Sequence, residues 1–216
     1  VETLVYGVMN ESQQALFKKN LEIDFSTKLS NDVRFRVNAF HQINGVSCAF
    51  RVIPNEIKSY DELHLPDILK RLTTKEKGLI LVTGPTGSGK STTLHAALKE
   101  IENIESNIIT VEDPVEYRLE GVTQIETKEQ IGLTFVSALR SVLRQDPDIV
   151  LIGEIRDEET ADIAIKFSLT GHLVFTTLHA NSAAAAFERI KKLGVIPLEI
   201  ASATLCVLSQ RLVKEV

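Results

Sequence analysis

Residues 84–92 of this 216-residue chain read Gly-Pro-Thr-Gly-Ser-Gly-Lys-Ser-Thr and follow the apolar run Leu79-Ile80-Leu81-Val82. The spacing G-x-x-x-x-G-K-[ST], set between a strand and a helix, is that of a loop that grips the phosphates of a nucleoside triphosphate. Glycine and small residues let the backbone curl, so successive N–H groups point inward as an anion nest. The helix that opens near Gly89 adds its positive end at the same spot. Gly84, Pro85, Thr86, Gly87, Ser88, Gly89, Lys90, Ser91 and Thr92 are therefore the candidate nucleotide-binding residues. Lys90 supplies a point charge to the β/γ-phosphates, and the Ser91 hydroxyl is placed to ligate Mg2+. A glycine-rich turn that matches by chance is the competing reading, and the flanking strand and helix weigh against it.

Composition narrows the partners. Apolar content of 44% and charged content of 25% suit an ordinary globular chain. A formal net charge of −5 argues against a broad nucleic-acid-binding surface, though a local basic patch stays open. The apolar runs fall short of the ~18 residues that cross a bilayer, and no signal peptide is visible. Cys48 and Cys206 stand in apolar contexts with no CxxC pair and read as buried thiols of a reducing compartment, with no zinc site. The chain begins at Val1 and stops just after a helical pattern, as a piece of a longer protein would.

Two segments differ in character. In residues 1–56, Val33–Ala39 alternates apolar and polar, as a half-buried strand does. Asn44-Gly45 is a strong hairpin signal, and Val46–Ile53 is the returning strand. A two-residue Asn44-Gly45 loop would set Arg36 opposite Ile53 and Asn38 opposite Arg51, making Arg36 and Arg51 diagonal neighbours on one face with Arg34 further along it. Gathered guanidiniums repel unless an anion sits nearby; a plain solvated face is the alternative. Pro54 and the polar stretch near Lys58–Asp61 read as a linker, with a short helix from Pro66 to about Leu72, so residues 57–76 join the two parts. From residue 77 to 216 the pattern is α/β. Leu79–Thr83, Ile108–Glu112, Ile149–Gly153 and Leu173–Leu178 read as buried parallel strands. Helical spacing fills Ser91–Ile101, Phe135–Arg144 and Glu158–Ser168, as in a doubly wound sheet. The strands end in Gly84, Glu112-Asp113, Glu154 and His179, which should converge on one crevice beyond the carboxyl ends of the strands.

Phosphoanhydride hydrolysis needs charge neutralisation, an in-line water and a group to orient it. Glu154, after an apolar strand, is the leading candidate for the last role; Gly153 stands where a metal-binding Asp often does. Helix capping together with Arg156 is the bland alternative for Glu154. Glu112, Asp113 and Glu116 crowd around Pro114 and could hold waters about a metal, or simply form a surface turn. Arg140 and Arg144 fall one helical turn apart, either as an exposed face pairing with Asp146 or Glu120, or as arginines reaching a neighbouring subunit's triphosphate. His172 and His179 bracket one strand and face opposite ways, so they are poor partners for a shared metal. Thr176, Thr177 and His179 lie at the crevice, where one could sense a γ-phosphate.

Taken together, GPTGSGKSTT, VEDPVEY at 111–117, LRSVLRQDPDIVLIGEIRD at 139–157 and TGHLVFTTLHANSA at 170–183 resemble the Walker A, Asp, Walker B and His boxes of the secretion/type IV pilus ATPase superfamily. RFRVNAF and AFRVIP are similar to that family's N-terminal domain. The resemblance implies a RecA-like P-loop NTPase core joined by a linker to a smaller PAS-like α/β domain. It implies a homo-hexamer that hydrolyses ATP with Mg2+ and moves an inner-membrane platform protein of a secretion or pilus machine. That motor would sit in the bacterial cytoplasm, peripheral at the inner membrane, held to it through partners, with no nucleic acid. Lys90 and Ser91 would hold phosphate and metal, Glu154 would be the catalytic carboxylate, Arg36 and Arg51 would reach ATP, and Arg140 and Arg144 would bear on the neighbouring site. The segment 21–54 looks more like a retraction ATPase and the segment 193–213 more like an assembly ATPase; the tetracysteine zinc element of many members is absent from this stretch. A nucleic-acid motor on the same core, and a nucleotide-gated subunit without turnover, are the rival readings.

Overall fold

The computed structural model describes residues 2–28, 33–53, 56–101 and 106–214. Pro54, expected in a linker, lies outside the described residues. The chain divides into two compact units, Val1–Glu56 and Ile57–Val216.

The first unit holds helices α1 (Glu2–Gly7) and α2 (Glu11–Asn20) and strands β1 (Glu22–Lys28), β2 (Arg34–Gln42) and β3 (Gly45–Ile53). Asn10 opens α2 with a capping box: its side chain accepts from the Gln13 N–H, and the Gln13 side chain accepts from the Asn10 N–H. The strands form an antiparallel sheet in the order β1-β2-β3. Val5, Met9 and Phe17 of the helical segment bury against Ile23, Phe25, Val37, Ala39 and Val46 of one sheet face. The register differs from the expected one by two residues. Gln42 pairs with Gly45, so Ile43 and Asn44 form the turn, and Arg36 lies directly opposite Arg51 while Arg34 faces Ile53. Gly45 alone of these takes a positive φ, 110°, as in a turn followed by a glycine bulge, whereas an Asn44-Gly45 turn of the expected kind needs positive φ at both. A shift of two keeps every side chain on its expected face.

The second unit contains α3 (Asp67–Leu72), β4 (Gly78–Thr83), α4 (Lys90–Ile101), β5 (Ile108–Glu112), β6 (Thr123–Glu126), α5 (Phe135–Val142), β7 (Ile149–Ile152), α6 (Glu158–Leu169), β8 (Leu173–Leu178), α7 (Ala183–Lys192), α8 (Pro197–Ala203) and β9 (Thr204–Ser209). Its six strands are all parallel, in the order β6-β5-β7-β8-β4-β9. Alternate residues feed two cores. Leu79, Leu81, Val150, Ile152 and Val174 meet α5, α6, α7 and α8 on one side, while Ile80, Val82, Leu151 and Phe175 meet α3 and α4 on the other. Near-continuous apolar strands are what such double coverage requires. Residues 57–76, read as linker plus short helix, contribute Ile57, Tyr60, Leu69 and Leu72 to the second of these cores. The chain's end departs from the helical pattern expected there. Helix α8 stops at Ala203, and Thr204–Ser209 extends along β4, where ladder bonds outweigh weak helical spacing. Cys48 and Cys206, expected to be buried, are half-buried free thiols. Among the described residues no helix is long and apolar enough to cross a membrane.

The hairpin geometry makes a direct prediction. Gly45→Ala should destabilise the β2–β3 hairpin by ~1 kcal/mol, the cost of a Cβ at positive φ. Asn44→Ala should cost well under that. Hydrogen exchange of the β2 and β3 amides in the full chain reads both; equal effects would instead indicate positive φ at both residues.

Candidate active site

Parallel register sets the chemistry. Val111 pairs with Ile152, Ile152 with Thr176, and Thr83 with Leu178, so β5, β7, β8 and β4 end at one edge of the sheet. Beyond that edge lie Asp113, Glu154, His179 and the phosphate loop, the convergence expected of strand ends in an open parallel sheet.

Gly84 leaves β4 with φ 146°, and a Cβ there would lie 2.4 Å from the Gln210 carbonyl oxygen and 2.8 Å from Ser88 Oγ. Only glycine fits that turn. Pro85, Thr86 and Gly87 are exposed, Ser88 and Lys90 are buried, and Gly89, Ser91 and Thr92 are half-buried. Lys90, the first residue of α4, folds back so that Nζ donates to the Gly84 and Pro85 carbonyls at 3.0 and 3.1 Å. Burial pushes its ammonium below the ordinary lysine range, with Glu154 opposing that shift. Among the described residues, Ser88 Oγ is buried with no hydrogen-bond partner. An unpaired buried hydroxyl in this loop suits a phosphate oxygen.

Glu154 follows β7 in a bend fixed by β8: the Thr177 hydroxyl donates to the Gly153 carbonyl at 2.7 Å, and the Ile155 N–H to the Thr177 carbonyl. A Cβ on Gly153 would sit 3.3 Å from the Val111 carbonyl oxygen, so an aspartate there would press against the β5 backbone. Arg156 donates to Glu154 Oε1 at 2.6 Å and to Asp113 Oδ2 at 3.4 Å, and its guanidinium lies over the Phe135 ring. His179 Nε2 lies 3.6 Å from the other Glu154 oxygen. Asp113, Arg156, Glu154 and His179 thus form one chain of polar contacts. Arg156 reads from the sequence only as a cap; its spacing two residues after Glu154 was the available signal. His172 is a structural residue, with Nδ1 3.0 Å from the Phe167 carbonyl and its ring edge-on to Phe167.

The three carboxylates expected around Pro114 separate. Asp113 meets Arg156, Glu116 is exposed, and Glu112 is buried behind the loop rather than open to the crevice. Glu112 accepts from Thr110 Oγ1 at 2.6 Å, from Gln124 Nε2 at 3.2 Å and from His95 Nε2 at 3.0 Å. The His95 Nδ1 faces the Ser91 carbonyl at 2.8 Å. An ionised pair satisfies all of these groups: the imidazolium donates from both ring nitrogens, and the carboxylate accepts from His95, Thr110 and Gln124. Burial alone would depress His95, but the hydrogen bond and charge of Glu112, with the Ser91 carbonyl and Glu116 helping, hold it above the usual range. Burial would likewise raise Glu112, but His95, Thr110 and Gln124 hold it below. This buried pair ties α4, just past the phosphate loop, to the end of β5.

Arg140 pairs with Glu159, not with Asp146 or Glu120, and Arg144 donates to the Arg140 carbonyl at 3.0 Å. Both are exposed and make no hydrogen bond or ion pair with the strand-end residues. In the first unit Arg36 lies 3.7 Å from Asp24, and among the described residues Arg51 has no ion-pair partner.

Residues 13–216 match the type II/IV secretion system protein family. The chain belongs to that family. It is 42% identical over 228 aligned residues to the type IV pilus retraction ATPase PilT of Pseudomonas aeruginosa, covering 100% of this chain and 66% of that protein. Against the type II secretion system protein E of Aeromonas hydrophila it is 56% identical over 148 residues, 68% of this chain and 30% of that protein. The fold matches the crystal structure of the pilus retraction motor PilT with bound ADP, with a TM-score of 0.90 and 39% identity over 97% of this chain and 64% of that one. The Legionella pneumophila ATPase DotB matches with a TM-score of 0.83 at 26% identity, over 97% of this chain and 63% of that one. This chain thus spans about two thirds or less of the length of these family members.

The buried ion pair shapes stability against pH. His95 is raised on folding, so its contribution is complete below the unfolded value of about 6.5 and is lost as pH rises through the folded one. Glu112 is lowered, so its contribution is complete above about 4.3 and is lost as pH falls through the folded value. In thermal melts the Tm advantage of the wild type over His95→Gln should be largest between those values and shrink as pH rises through the folded value of His95. An advantage that instead grows as pH rises through about 6.5 would show that His95 is neutral in the fold.

Proposed function

We propose that this chain is the ATP-hydrolysing part of a hexameric motor that powers assembly or retraction in a type II secretion or type IV pilus machine. Residues 77–216 would be its RecA-like P-loop core, 1–56 its smaller PAS-like domain, and 57–76 the connection between them. The observation that carries the reading is a phosphate loop with a buried, partly desolvated lysine at the same sheet edge as a glutamate fixed by Arg156 and His179. PilT carries ADP in its structure, and PilT and DotB are named as motor or ATPase, which supports ATP as the substrate here.

Backbone N–H groups of Gly87–Ser91 would receive the β- and γ-phosphates, and Lys90 would exchange its two carbonyl partners for phosphate oxygens. Ser91, a half-buried hydroxyl at the start of α4, suits Mg2+, which takes oxygen ligands and keeps several waters. When bound, that ion neutralises charge on the triphosphate. Glu154 would orient the attacking water and accept its proton. Arg156 fixes one of its oxygens, leaving the one beside His179 for that task. Asp113 would act by holding Arg156, and Glu112 by bracing α4 through His95. Glu116 and His179 lie exposed and available to waters or the γ-phosphate. Arg36 and Arg51, paired face to face, are proposed as anion contacts from the first domain. Arg140 and Arg144, exposed and making no hydrogen bond or ion pair with their own chain's strand-end residues, are proposed to reach the nucleotide of a neighbouring subunit. The partner would be an inner-membrane platform protein, and the working place the cytoplasmic side of that membrane.

Steady-state ATP hydrolysis, run beside size-exclusion mass determination, tests this. Turnover should rise with hexamer formation, and Glu154→Gln should cut kcat by about 100-fold or more while ADP binding survives. Mixing Arg140→Ala with Glu154→Gln subunits should restore part of the activity, because mixed rings contain sites intact in both parts. A hexamer that binds ATP without turnover would instead favour a nucleotide-gated scaffold, and DNA-stimulated turnover a nucleic-acid motor.

A further inference from the structure

We propose that Gln210 is the positioning residue of the phosphate loop, holding it from a point 122 residues away in sequence; the inference rests on the reading of that loop as the nucleotide site. Gln210 stands just past edge strand β9 and touches every part of the strand–loop–helix unit. Its backbone N–H donates to the Thr83 carbonyl at the end of β4, at 3.0 Å. Its side-chain Nε2 donates to the Ser88 carbonyl at 2.7 Å, and Oε1 accepts from the Thr93 hydroxyl on α4 at 3.1 Å. Its own carbonyl oxygen lies where a Cβ on Gly84 would intrude.

The side-chain bonds fix the amide's orientation. The Ser88 carbonyl can only accept, so Nε2 must face it, and the Thr93 hydroxyl then donates to Oε1. The Ser88–Gly89 peptide is trans, so pinning its carbonyl toward Gln210 turns the Gly89 N–H the opposite way. Gly89, at φ 87°, follows as the left-handed residue of the loop. A peptide otherwise free to rotate is thereby held with one nest donor set before the anion arrives. The alternative is that Gln210 only ties β9 to the sheet, a task its backbone bond to Thr83 already performs.

Gln210→Met keeps length and shape without adding charge, and it removes both side-chain bonds. In the full chain, calorimetric titration with ADP should give a Kd about tenfold weaker than wild type, as loss of one good hydrogen bond implies. KM for ATP should rise by a similar factor with kcat within about twofold, since a ground-state and transition-state donor is lost alike. Thr93→Val, which keeps the Nε2 bond but frees Oε1, should weaken ADP by about two- to threefold and decides the matter if the methionine variant does not fold. A lowered Tm with unchanged ADP Kd in either folded variant would overturn the positioning role and leave the nucleotide reading standing. A wild-type chain that does not bind ADP would overturn the nucleotide reading and the inference with it.

Discussion

The level ending of four parallel strands is the constraint on which the site depends. Each of β5, β7, β8 and β4 is registered residue by residue against its neighbour, so Asp113, Glu154, His179 and the phosphate loop emerge together without any one loop reaching far. Coverage on both faces makes this register rigid. Sliding one strand by a residue would turn its apolar side chains from one helical layer to the other. The chemistry is carried by short connections anchored in that frame, as with the Thr177 hydroxyl bound to the Gly153 carbonyl.

Charge is laid out in two tiers behind that edge. The outer tier, Asp113–Arg156–Glu154–His179, is partly exposed. The inner tier, His95 with Glu112, is buried and fully hydrogen-bonded, with His95 held above and Glu112 below its usual range. A buried pair of this kind adds little net stability, but removing one member leaves an uncompensated charge, so it specifies one arrangement of α4 against β5. Gln210 works to the same end with neutral bonds on the other flank of the helix.

Much of this was readable from local pattern. Strands β4, β5, β7 and β8 and helices α4 and α6 stand within a residue or so of their expected limits, because continuous apolar runs and glycine spacing are local signals. The hairpin register departs from the sequence expectation because Asn44-Gly45 suits two turn types and only the φ of Asn44 separates them. β6 and β9 escaped notice: one is four residues of mixed polarity, and the other follows a helix without a breaker. Glu112 looked like a crevice carboxylate because its partner His95 lies on α4, 17 residues earlier, where nothing in the sequence joins them. Gln210, and Arg156 in its bond to Asp113, act through contacts across the fold, which no spacing rule encodes.

The measurement that bears most directly on the site is titration of the full chain with ADP, wild type against Lys90→Ala. One ADP per chain, with binding lost or weakened at least tenfold in the variant, is the expected result for a phosphate loop whose lysine trades two backbone carbonyls for the nucleotide. Equal affinity in both proteins, or no binding in either, would contradict the assignment of this sheet edge as the nucleotide site.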